Sequence, residues 1–362
     1  MKKHTQNPPS KKHIRRKRRV RILVFEIILL AVLLVGLYGW TKFGLITQDE
    51  TVREEEVKTN DMTVETQEVL SGYWNIALFG VDNRENGEFD TGHSDTIMVC
   101  SINNDTKEVR LVSVFRDTLL EVEEGSLQKA TNAYQYGGAK AAIEMLNTNL
   151  DLDIEDYVSV DFKAVTDAVD AVGGVEIELT EEEARIMNNN YIPEVAKVTE
   201  KAANYVSGGY QTLDGVQATS YCRVRYTAGN DFKRAERQRT VVMKLVEKAK
   251  QASLMELNDL INAVFPNIQT SLSSTQLISL AKQYKDYELV DTVGFPFEKI
   301  TDTVGSKGSV VIPVTLEKNV DELYTYLFGD EEHEHSEKVR ELSEEIINLT
   351  GYDEGDEVDY GF

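Results

Sequence analysis

The sequence predicts an α/β fold in which helices cover both faces of a mixed central sheet. Three apolar runs of strand length come first: NIALFGVD (75–82), DTIMVCSI (95–102) and EVRLVSVF (108–115), the last two joined by the turn-like NNDTK. Helical and strand patterns then alternate, which is typical of helices packed on a sheet. A segment of about 255 residues is long enough for one core and a sizeable cavity.

The later elements follow from apolar periodicity and from Gly and Pro positions. We predict helices at 139–149, 162–171, 231–251, 254–264, 275–287 and 316–328, and strands at 157–160, 175–179, 288–294 and 310–314. Residues 41–72 are polar and poor in apolar periodicity, so they are expected to form a stalk or a short helix before a domain at 73–329. The acidic tail, 330–362, is expected to be peripheral, with a short helix near 337–349.

The N-terminus predicts a membrane anchor. Residues 1–21 carry ten Lys and Arg and no acid, and residues 22–40 are interrupted only by Glu26. Nineteen residues are just enough to cross a bilayer, and the positive-inside rule puts residues 1–21 in the cytoplasm and the chain from about residue 41 outside the cell. The alternative is a cleaved signal peptide, which normally has a shorter apolar region and a small-residue cleavage site. We favour an uncleaved, single-pass anchor in the cell membrane.

Charge and cysteine content narrow the classes of function. Without the ten N-terminal cations, 29 Lys and Arg face 62 Asp and Glu, a net charge of −33, so nonspecific binding of nucleic acid is not expected. Cys100 and Cys222 make no disulfide framework; free thiols are the first expectation and a single bridge the alternative. The five histidines, at positions 4, 13, 93, 333 and 335, show no metal-binding or catalytic-triad pattern.

An arginine cluster is the main functional signal. The segment RVRYTAGNDFKRAERQR (223–239) holds five of the eleven arginines that follow residue 21. Guanidinium groups grip two phosphate oxygens at once, which suits a pyrophosphate. The alternative is a solvated basic helix face. However, helical phase places Arg234 and Gln238 on the stripe of Val241, Val242 and Leu245 that is expected to point inward, and inward polar groups need partners.

Two carboxylates flank the loop between the first two strands. Asp82 ends one strand and Asp95 begins the next, so both are expected at one edge of the sheet, together with Arg116 and Asp117 after the third strand. Mg²⁺ prefers a few carboxylates completed by water and phosphate oxygens. The alternative is that both aspartates only cap turns. In combination with the arginines, the pattern favours a Mg²⁺ site, with Mn²⁺ as a substitute.

In order, the motifs GVD(x12)SDTIMV, SVFRDT, KATNAYQYGG, LDGVQATSYCRVR and DFKRAERQ resemble the LytR-CpsA-Psr family of cell-wall phosphotransferases. The resemblance covers roughly residues 74–251 and is specific as a combination. It implies a sheet enclosing an apolar tunnel for a polyprenyl chain. It also implies transfer of a glycopolymer phosphate from an undecaprenyl-pyrophosphate carrier to peptidoglycan, generally at the C6 hydroxyl of N-acetylmuramic acid. The glycopolymer itself, teichoic acid, capsule or another wall polymer, is not encoded in these motifs.

Carried over residue by residue, the resemblance implies three roles. The metal ligands are Asp82 and Asp95. The pyrophosphate grip is formed by Arg116, Arg223, Arg225, Arg234 and Gln238, supported by Arg237, and Lys129 and Asn132 resemble residues at the tunnel mouth. Asp231 orients or deprotonates the acceptor hydroxyl, a role that Asp82 could share.

One position departs from the family pattern. His93 stands where an arginine is usual, and a histidine donates a weaker, pH-dependent contact; the alternative is an exposed loop histidine. Two other classes of function stay open for the same residues. One is a membrane-bound lipid-phosphate binder without catalysis, and the other is a pyrophosphate hydrolase that uses water as acceptor. Tyr134, Gly137 and Gly138 are expected to be structural, the glycines through close helix packing.

Overall fold

The computed structural model describes residues 41–42, 44–81, 89, 92–225, 230–329 and 333–358, apart from the side chains of Asn230 and Leu254. The chain divides into two compact units, Met1–Leu45 and Ile46–Phe362. Among the described residues, no helix has the length and apolar character needed to cross a bilayer. The basic tail and the membrane helix predicted at 1–21 and 22–40 lie outside the described residues, so both stay predictions.

A seven-stranded mixed sheet forms the centre of the second unit. The strands of the described residues are β1 Thr47–Gln48, β2 Tyr73–Val81, β3 Ser94–Asn103, β4 Glu108–Val114, β5 Leu119–Glu123, β6 Ser126–Lys129, β7 Asp156–Val160, β8 Val175–Leu179, β9 Gly209–Leu213, β10 Ile268–Thr270, β11 Glu288–Phe295, β12 Lys299–Thr303 and β13 Ser309–Pro313. The central sheet has the order β1-β10-β7-β2-β3-β4-β11. β2 is antiparallel to β3 and parallel to β7, and β11 is parallel to β4. The pairs β5-β6, β8-β9 and β12-β13 form separate two-stranded sheets.

The helices pack on both faces of this sheet. They are α1 Glu50–Glu54, α2 Val64–Ser71, α3 Thr131–Leu150, α4 Phe162–Ala171, α5 Glu181–Ile186, α6 Ile192–Thr199, α7 Gly215–Tyr221, α8 Asn230–Gln251, α9 Leu254–Val264, α10 Ser274–Gln283, α11 Leu316–Phe328 and α12 Glu337–Thr350, with a π-helical segment at Met187–Tyr191 between α5 and α6. Side-chain caps begin most of them: Asp161 caps α4, and Thr180 with Glu183 forms a capping box on α5.

The two faces of the sheet differ because side chains alternate along each strand. On one face Phe79, Ile97 and Tyr157 are almost completely buried in the main core, together with residues of α3, α11 and α12. On the other face Leu78, Met98 and their neighbours line a cavity, which α4, α8 and α9 close from the opposite side. The predicted mixed sheet with helices on both faces is therefore confirmed.

Most of the predicted stalk, from Ile46 onward, is part of the second unit. Residues 47–48 form the edge strand β1, which pairs with β10 in the central sheet. Val52 of α1 and Leu70 of α2 are buried in the main core. The polar composition of 41–72 is explained by short helices that each bury only a few side chains. The folded unit thus begins at Ile46 and not at residue 73.

The acidic tail also differs from expectation. Its predicted helix is present as α12, but Val339, Leu342 and Ile346 are buried in the main core, so the helix is not peripheral. The tail contains 13 acidic residues, which surround a narrow apolar stripe. This acidic composition masks the apolar periodicity of the helix in the sequence.

The paired glycines of α3 break the helix. Gly138 has a positive φ of 65°, and apart from its chain neighbours and the nearby helix backbone no described atom lies within 4 Å of where its Cβ would be. The expectation of close helix packing at Gly138 is therefore wrong, since backbone conformation is the reason for a glycine there. Tyr134, one turn earlier, is fully buried and shares a 2.9 Å hydrogen bond with Ser159, which agrees with a structural role.

Candidate functional site

A cavity of about 900 Å³ lies between the central sheet and helices α4, α8 and α9. Its wall is mainly apolar away from the mouth: Leu78, Met98, Val158, Val160, Val165, Ala168, Val241, Val242, Leu245 and Val264. Its polar part gathers at the ends of β2, β3 and β4, where charged side chains from several segments meet. The cavity therefore has an apolar interior and an ionic end, the form that suits an amphipathic ligand.

Helix α8 supplies one wall, as its periodicity predicts. Arg234, Gln238, Val241, Val242 and Leu245 all line the cavity. Arg234 is only 4% exposed, so the solvated basic face is excluded for this residue. The inward polar residues occupy the first half of the stripe and the apolar ones the second half. One helix thereby contributes to both the ionic end and the apolar interior.

Asp95 is the centre of the ionic end. It lies at the start of β3, beside the end of β4, because Ile97 pairs with Val114. Arg116 Nη1 donates a 2.7 Å hydrogen bond to Asp95 Oδ1, and Arg234 Nη2 donates a 3.0 Å bond to the Asp95 backbone oxygen. Arg225 Nη2 is 3.7 Å from Asp95 Oδ2. The predicted meeting of Asp95 and Arg116 at one edge of the sheet is confirmed.

Asp231 faces the same three arginines. Its Oδ1 lies 3.7 Å from Arg116 Nε, 3.6 Å from Arg225 Nε and 3.4 Å from Arg234 Nη1. This oxygen is buried and has no hydrogen bond among the described residues. Asp231 does not line the cavity. Its charge acts on all three guanidinium groups, and its predicted role at the acceptor hydroxyl stays untested.

Some hydrogen-bond donors of this cluster are available to a ligand. Among the described residues, Arg225 forms two long ion pairs, with Asp95 and Asp231, both beyond good hydrogen-bond distance. Lys129 pairs with Asp117 at 2.9 Å, and both line the cavity mouth. The three arginines and two aspartates of this cluster carry one net positive charge before any ligand is bound. The cluster is thus suited to an anion with several oxygens.

Burial and charge act on these groups in opposite directions. Burial raises the pKa of Asp95, but Arg234 and Arg116 outweigh it and hold the pKa below its usual value. Burial also lowers the pKa of Arg234 to about 10, although Asp95 opposes this change. At neutral pH Asp95 is therefore a carboxylate and Arg234 a cation, the states that metal and phosphate binding require.

The other two predicted arginines, Arg223 and Arg237, lie outside the cluster around Asp95 and pair with glutamates. Arg223 lines the cavity, but its guanidinium lies over the rings of Phe162 and Tyr191, at 4.7 and 5.5 Å, and forms a 3.2 Å ion pair with Glu194. Arg237 does not line the cavity. It is 5% exposed, and its Nε donates a 2.8 Å hydrogen bond to Glu183. For Arg237 the structure thus shows a role in the core, and its predicted support of the pyrophosphate grip stays untested.

The remaining predicted residues lie at the cavity or outside the described chain. His93, Lys129, Asn132 and Gln238 line the cavity, and His93 is exposed at its mouth. Asp82 lies outside the described residues. No sequence pattern identifies Phe162, Tyr191 and Glu194 as the partners of Arg223, because they come from α4 and the helical segment at 187–199. Only the tertiary fold brings them together.

Both cysteines are free thiols, and the alternative of a single bridge is excluded in this structure. Cys222 lines the cavity, whereas Cys100 lies on β3. Burial raises the pKa of each thiol to about 12, so neither is a reactive thiolate at neutral pH.

A comparison with known families decides the classification, since a model of the LytR_cpsA_psr family matches residues 42–325. This chain belongs to that family. A curated relative is TagU of Enterococcus faecalis (strain ATCC 700802 / V583), a polyisoprenyl-teichoic acid--peptidoglycan teichoic acid transferase. It is 31% identical over 276 residues, which cover 74% of this chain and 84% of TagU. The match of the family model begins at residue 42, which agrees with a folded unit that includes most of the predicted stalk.

Solved structures agree with this LytR-CpsA-Psr fold. A protein from Streptococcus agalactiae superposes with a TM-score of 0.60 at 23% identity, covering 77% of this chain and 93% of that one. The family protein TagT, solved with bound octaprenyl pyrophosphate lipid, superposes with a TM-score of 0.53 at 19% identity, covering 75% and 97%. At these identities the likeness shows the fold.

Proposed function

We propose that this LytR-CpsA-Psr protein transfers a glycopolymer phosphate from a polyprenyl-pyrophosphate carrier to a hydroxyl of peptidoglycan. One observation carries the proposal: Arg116, Arg225 and Arg234 converge on Asp95 at the ionic end of a cavity whose interior is apolar. A diphosphate attached to a long hydrocarbon chain has this same division between charged and apolar parts.

The apolar interior is the proposed site of the polyprenyl chain. Its volume of about 900 Å³ is near the upper end of small-molecule sites, which hold roughly 300–1,000 Å³. Met98 is 2% exposed and Val241 is 1% exposed, whereas Leu78, Val158 and Val242 are partly exposed and present apolar surface to a ligand. Burial of the lipid against these side chains supplies binding free energy, about 25 cal/mol for each Å² of apolar surface removed from water.

The arginines are the proposed diphosphate grip. Asp231 faces the guanidinium groups of Arg116, Arg225 and Arg234, so that its charge sets their orientation before the ligand binds. Such preorganised donors stabilise the charge that develops on phosphate oxygens during transfer. Arg223, held on its own wall by Phe162, Tyr191 and Glu194, is placed to contact a second part of the substrate.

A divalent cation fits the residues present. Asp95 Oδ1 is bonded to Arg116, but Oδ2 has its described cationic neighbours at 3.7 and 4.0 Å, which leaves this oxygen for a metal ion. We propose that Asp95, with Asp82, holds Mg²⁺, or Mn²⁺ in its place. The ion would neutralise charge on the diphosphate.

The reaction balances without a protein nucleophile. The acceptor hydroxyl oxygen forms a bond to the phosphorus attached to the glycan, and the bond from that phosphorus to the bridging oxygen breaks. The electron pair leaves with polyprenyl phosphate, and the hydroxyl proton passes to a carboxylate base. The two carboxylates that the family resemblance offers as this general base are Asp231 and Asp82. The C6 hydroxyl of N-acetylmuramic acid is the proposed acceptor.

The comparisons support the substrate class. TagU is named a teichoic acid transferase, and TagT was solved with octaprenyl pyrophosphate lipid. By analogy, we place the folded unit outside the cell and attached to the membrane by the segment at 22–40. The glycopolymer is left unassigned, since the ionic end recognises the diphosphate that every such carrier shares.

The test is product analysis with the full chain in detergent micelles. A polyprenyl-pyrophosphate-linked glycan, peptidoglycan and Mg²⁺ should yield a phosphodiester between glycan and peptidoglycan, together with polyprenyl phosphate. Free glycan phosphate as the product would instead assign a hydrolase. Tight lipid binding without turnover, with and without Mg²⁺, would assign a non-catalytic binder.

A further inference from the structure

A second cluster of ligand-type side chains lies outside the cavity. Asp151, which follows α3, comes together with His333 and His335, which precede α12. One potential ligand atom of each residue lies within 4.8 Å of those of the other two. The side chains of Asp151 and His333 are completely buried, and that of His335 is 12% exposed. The sequence alone gave no metal-binding pattern because the aspartate is about 180 residues away from the histidines.

His333 is the residue whose ring nitrogens remain without hydrogen bonds in the described part of the chain. Both of these nitrogens are buried. A buried polar group without a partner is costly, so the site calls for a ligand. His333 Nε2 lies 3.5 Å from Asp151 Oδ2, which is too long for a good hydrogen bond. Two ligands bonded to one tetrahedral ion at about 2.0–2.1 Å lie about 3.4 Å apart, so the observed separation fits two ligands of one ion.

His335 has the arrangement of a supported metal ligand. Its Nε2 lies 3.0 Å from Asp321 Oδ1 on α11, while its Nδ1 is buried and has no hydrogen bond in the described structure. The carboxylate of Asp321 therefore holds the proton on Nε2 and leaves the lone pair of Nδ1 for an ion. Metal-binding histidines regularly donate their second nitrogen to a carboxylate in this way.

Asp151 is fixed in orientation and charge. Asn60 Nδ2 donates to its Oδ1 at 2.7 Å, and the Ser336 backbone nitrogen donates to its Oδ2 at 2.8 Å. The hydroxyl of Tyr324 donates to its backbone oxygen, and the Tyr324 ring stacks on His333. Burial raises the pKa of Asp151, but contacts from His333, Asn60 and Ser336 outweigh it and hold the pKa below its usual value. The group is a carboxylate at neutral pH.

We propose that Asp151 Oδ2, His333 Nε2 and His335 Nδ1 bind one Zn²⁺ ion, with water as the fourth ligand. Two imidazoles and one carboxylate are a ligand set that Zn²⁺ prefers among divalent ions. The site joins the end of α3, helix α11 and the start of α12. It lies at the opposite end of α3 from Thr131 and Asn132, which line the cavity, whereas none of the three proposed ligands lines it. The ion would therefore tie these helices together and take no part in chemistry at the cavity.

The experiment titrates Zn²⁺ into the full chain in detergent after chelator treatment and dialysis. We expect one ion per chain by metal analysis and a rise of at least about 3 °C in the melting temperature at saturating Zn²⁺. Co²⁺ in place of Zn²⁺ should give the strong visible absorption of a tetrahedral site. Absence of bound ion, or of a tetrahedral Co²⁺ spectrum, would overturn the proposal.

Variants locate the ion. His333→Ala with His335→Ala should abolish binding, and Asp321→Asn, which keeps all three ligands, should lower Zn²⁺ affinity about 10- to 100-fold. Glu334→Gln is the matched control, because this exposed residue lies between the two histidines and should leave the affinity unchanged. If the double variant does not fold, the Asp321→Asn result decides alone: an unchanged affinity would place the ion elsewhere and refute the site.

Discussion

Arg116 donates a 2.7 Å hydrogen bond to the carboxylate of Asp95, so a proposed phosphate-binding cation and a proposed metal ligand are held together before substrate arrives. The two residues belong to adjacent strand ends, and the register of β3 with β4 fixes their separation. In the proposed complex, the cation at Asp95 and the guanidinium of Arg116 would both act on the diphosphate, and this hydrogen bond would hold the two at a fixed separation.

The arginines at Asp95 should be needed for turnover. Arg116→Ala, Arg225→Ala or Arg234→Ala each removes charge-assisted hydrogen bonds of about 1.5–3 kcal/mol, so kcat/KM should fall at least about tenfold. Transfer of labelled glycan to peptidoglycan measures the effect. Arg185→Ala is the control, because this side chain is 65% exposed and its ion pair with Glu182 is long, at 3.8 Å. Parent-like rates in all three variants would contradict the proposed grip.

Arg237 should act on stability. Arg237→Ala leaves Glu183 buried without its cation, which should lower the free energy of unfolding by about 3–5 kcal/mol. Denaturant unfolding followed by circular dichroism measures this change. The double variant Arg237→Met with Glu183→Gln keeps an amide in the capping box of α5 and should recover much of the loss. A single variant as stable as the parent would show that the ion pair has no structural importance.

The position of Asp231 beside the three arginines predicts the outcome of Asp231→Asn. Loss of its charge should let the three guanidinium groups repel one another, so KM for the lipid substrate should rise and the rate should fall. Because Asp231 does not line the cavity, we expect the acid limb of the pH–rate profile to persist. Disappearance of that limb would instead identify Asp231 as the general base.

The apolar interior can be tested by filling it. Leu245→Trp places a large ring in the cavity from the α8 wall, where Leu245 is only partly buried and the helix can accept the change. KM should rise at least about tenfold for a long polyprenyl carrier and much less for a carrier with a short lipid. Lys244→Trp is the matched control, because this neighbouring side chain is 39% exposed and does not line the cavity. Equal effects on both carriers would place the lipid elsewhere.

Low pH should lower the free energy of unfolding because Asp95 becomes protonated. The pKa of Asp95 is lower in the folded protein than in the unfolded chain, so its contribution to stability is complete above its ordinary value of 3.8 and is lost as the pH falls through the lowered pKa. In Asp95→Asn this acid-dependent component should be missing from the free energy of unfolding between about pH 2 and 5. Parallel pH profiles for parent and variant would refute the assignment.

Local patterns predicted most of the fold. Helices α4, α9 and α11 begin and end where apolar periodicity and caps place them, and β2, β3 and β4 match their apolar runs within two residues. The stripe through Arg234 and Val241 also predicted which face of α8 lines the cavity. These features depend on residues a few positions apart, which is the range over which periodicity is informative.

Long-range placement was the part that the sequence could not supply. Nothing near Arg237 distinguishes it from Arg234, yet one meets Glu183 of α5 in the core and the other meets Asp95 of β3 at the cavity. Val339 and Leu342 were hidden in an acidic tail, and Asp151 has no local signal that connects it with His333. In each case the deciding partner is distant in the chain and reaches the residue only through the tertiary fold.

The alternation of side chains along β2, β3 and β7 separates two evolutionary pressures by the parity of the residue number. Odd-numbered Ala77, Ile97 and Tyr157 fill the solid core, while even-numbered Leu78, Met98 and Val158 border the cavity, which Phe79 and Val81 reach only at the end of β2. A lineage could therefore retune the length or branching of its carrier lipid by exchanging even-numbered residues alone. The odd-numbered ones would keep the scaffold foldable throughout, so carrier preference could drift without a passage through unstable intermediates.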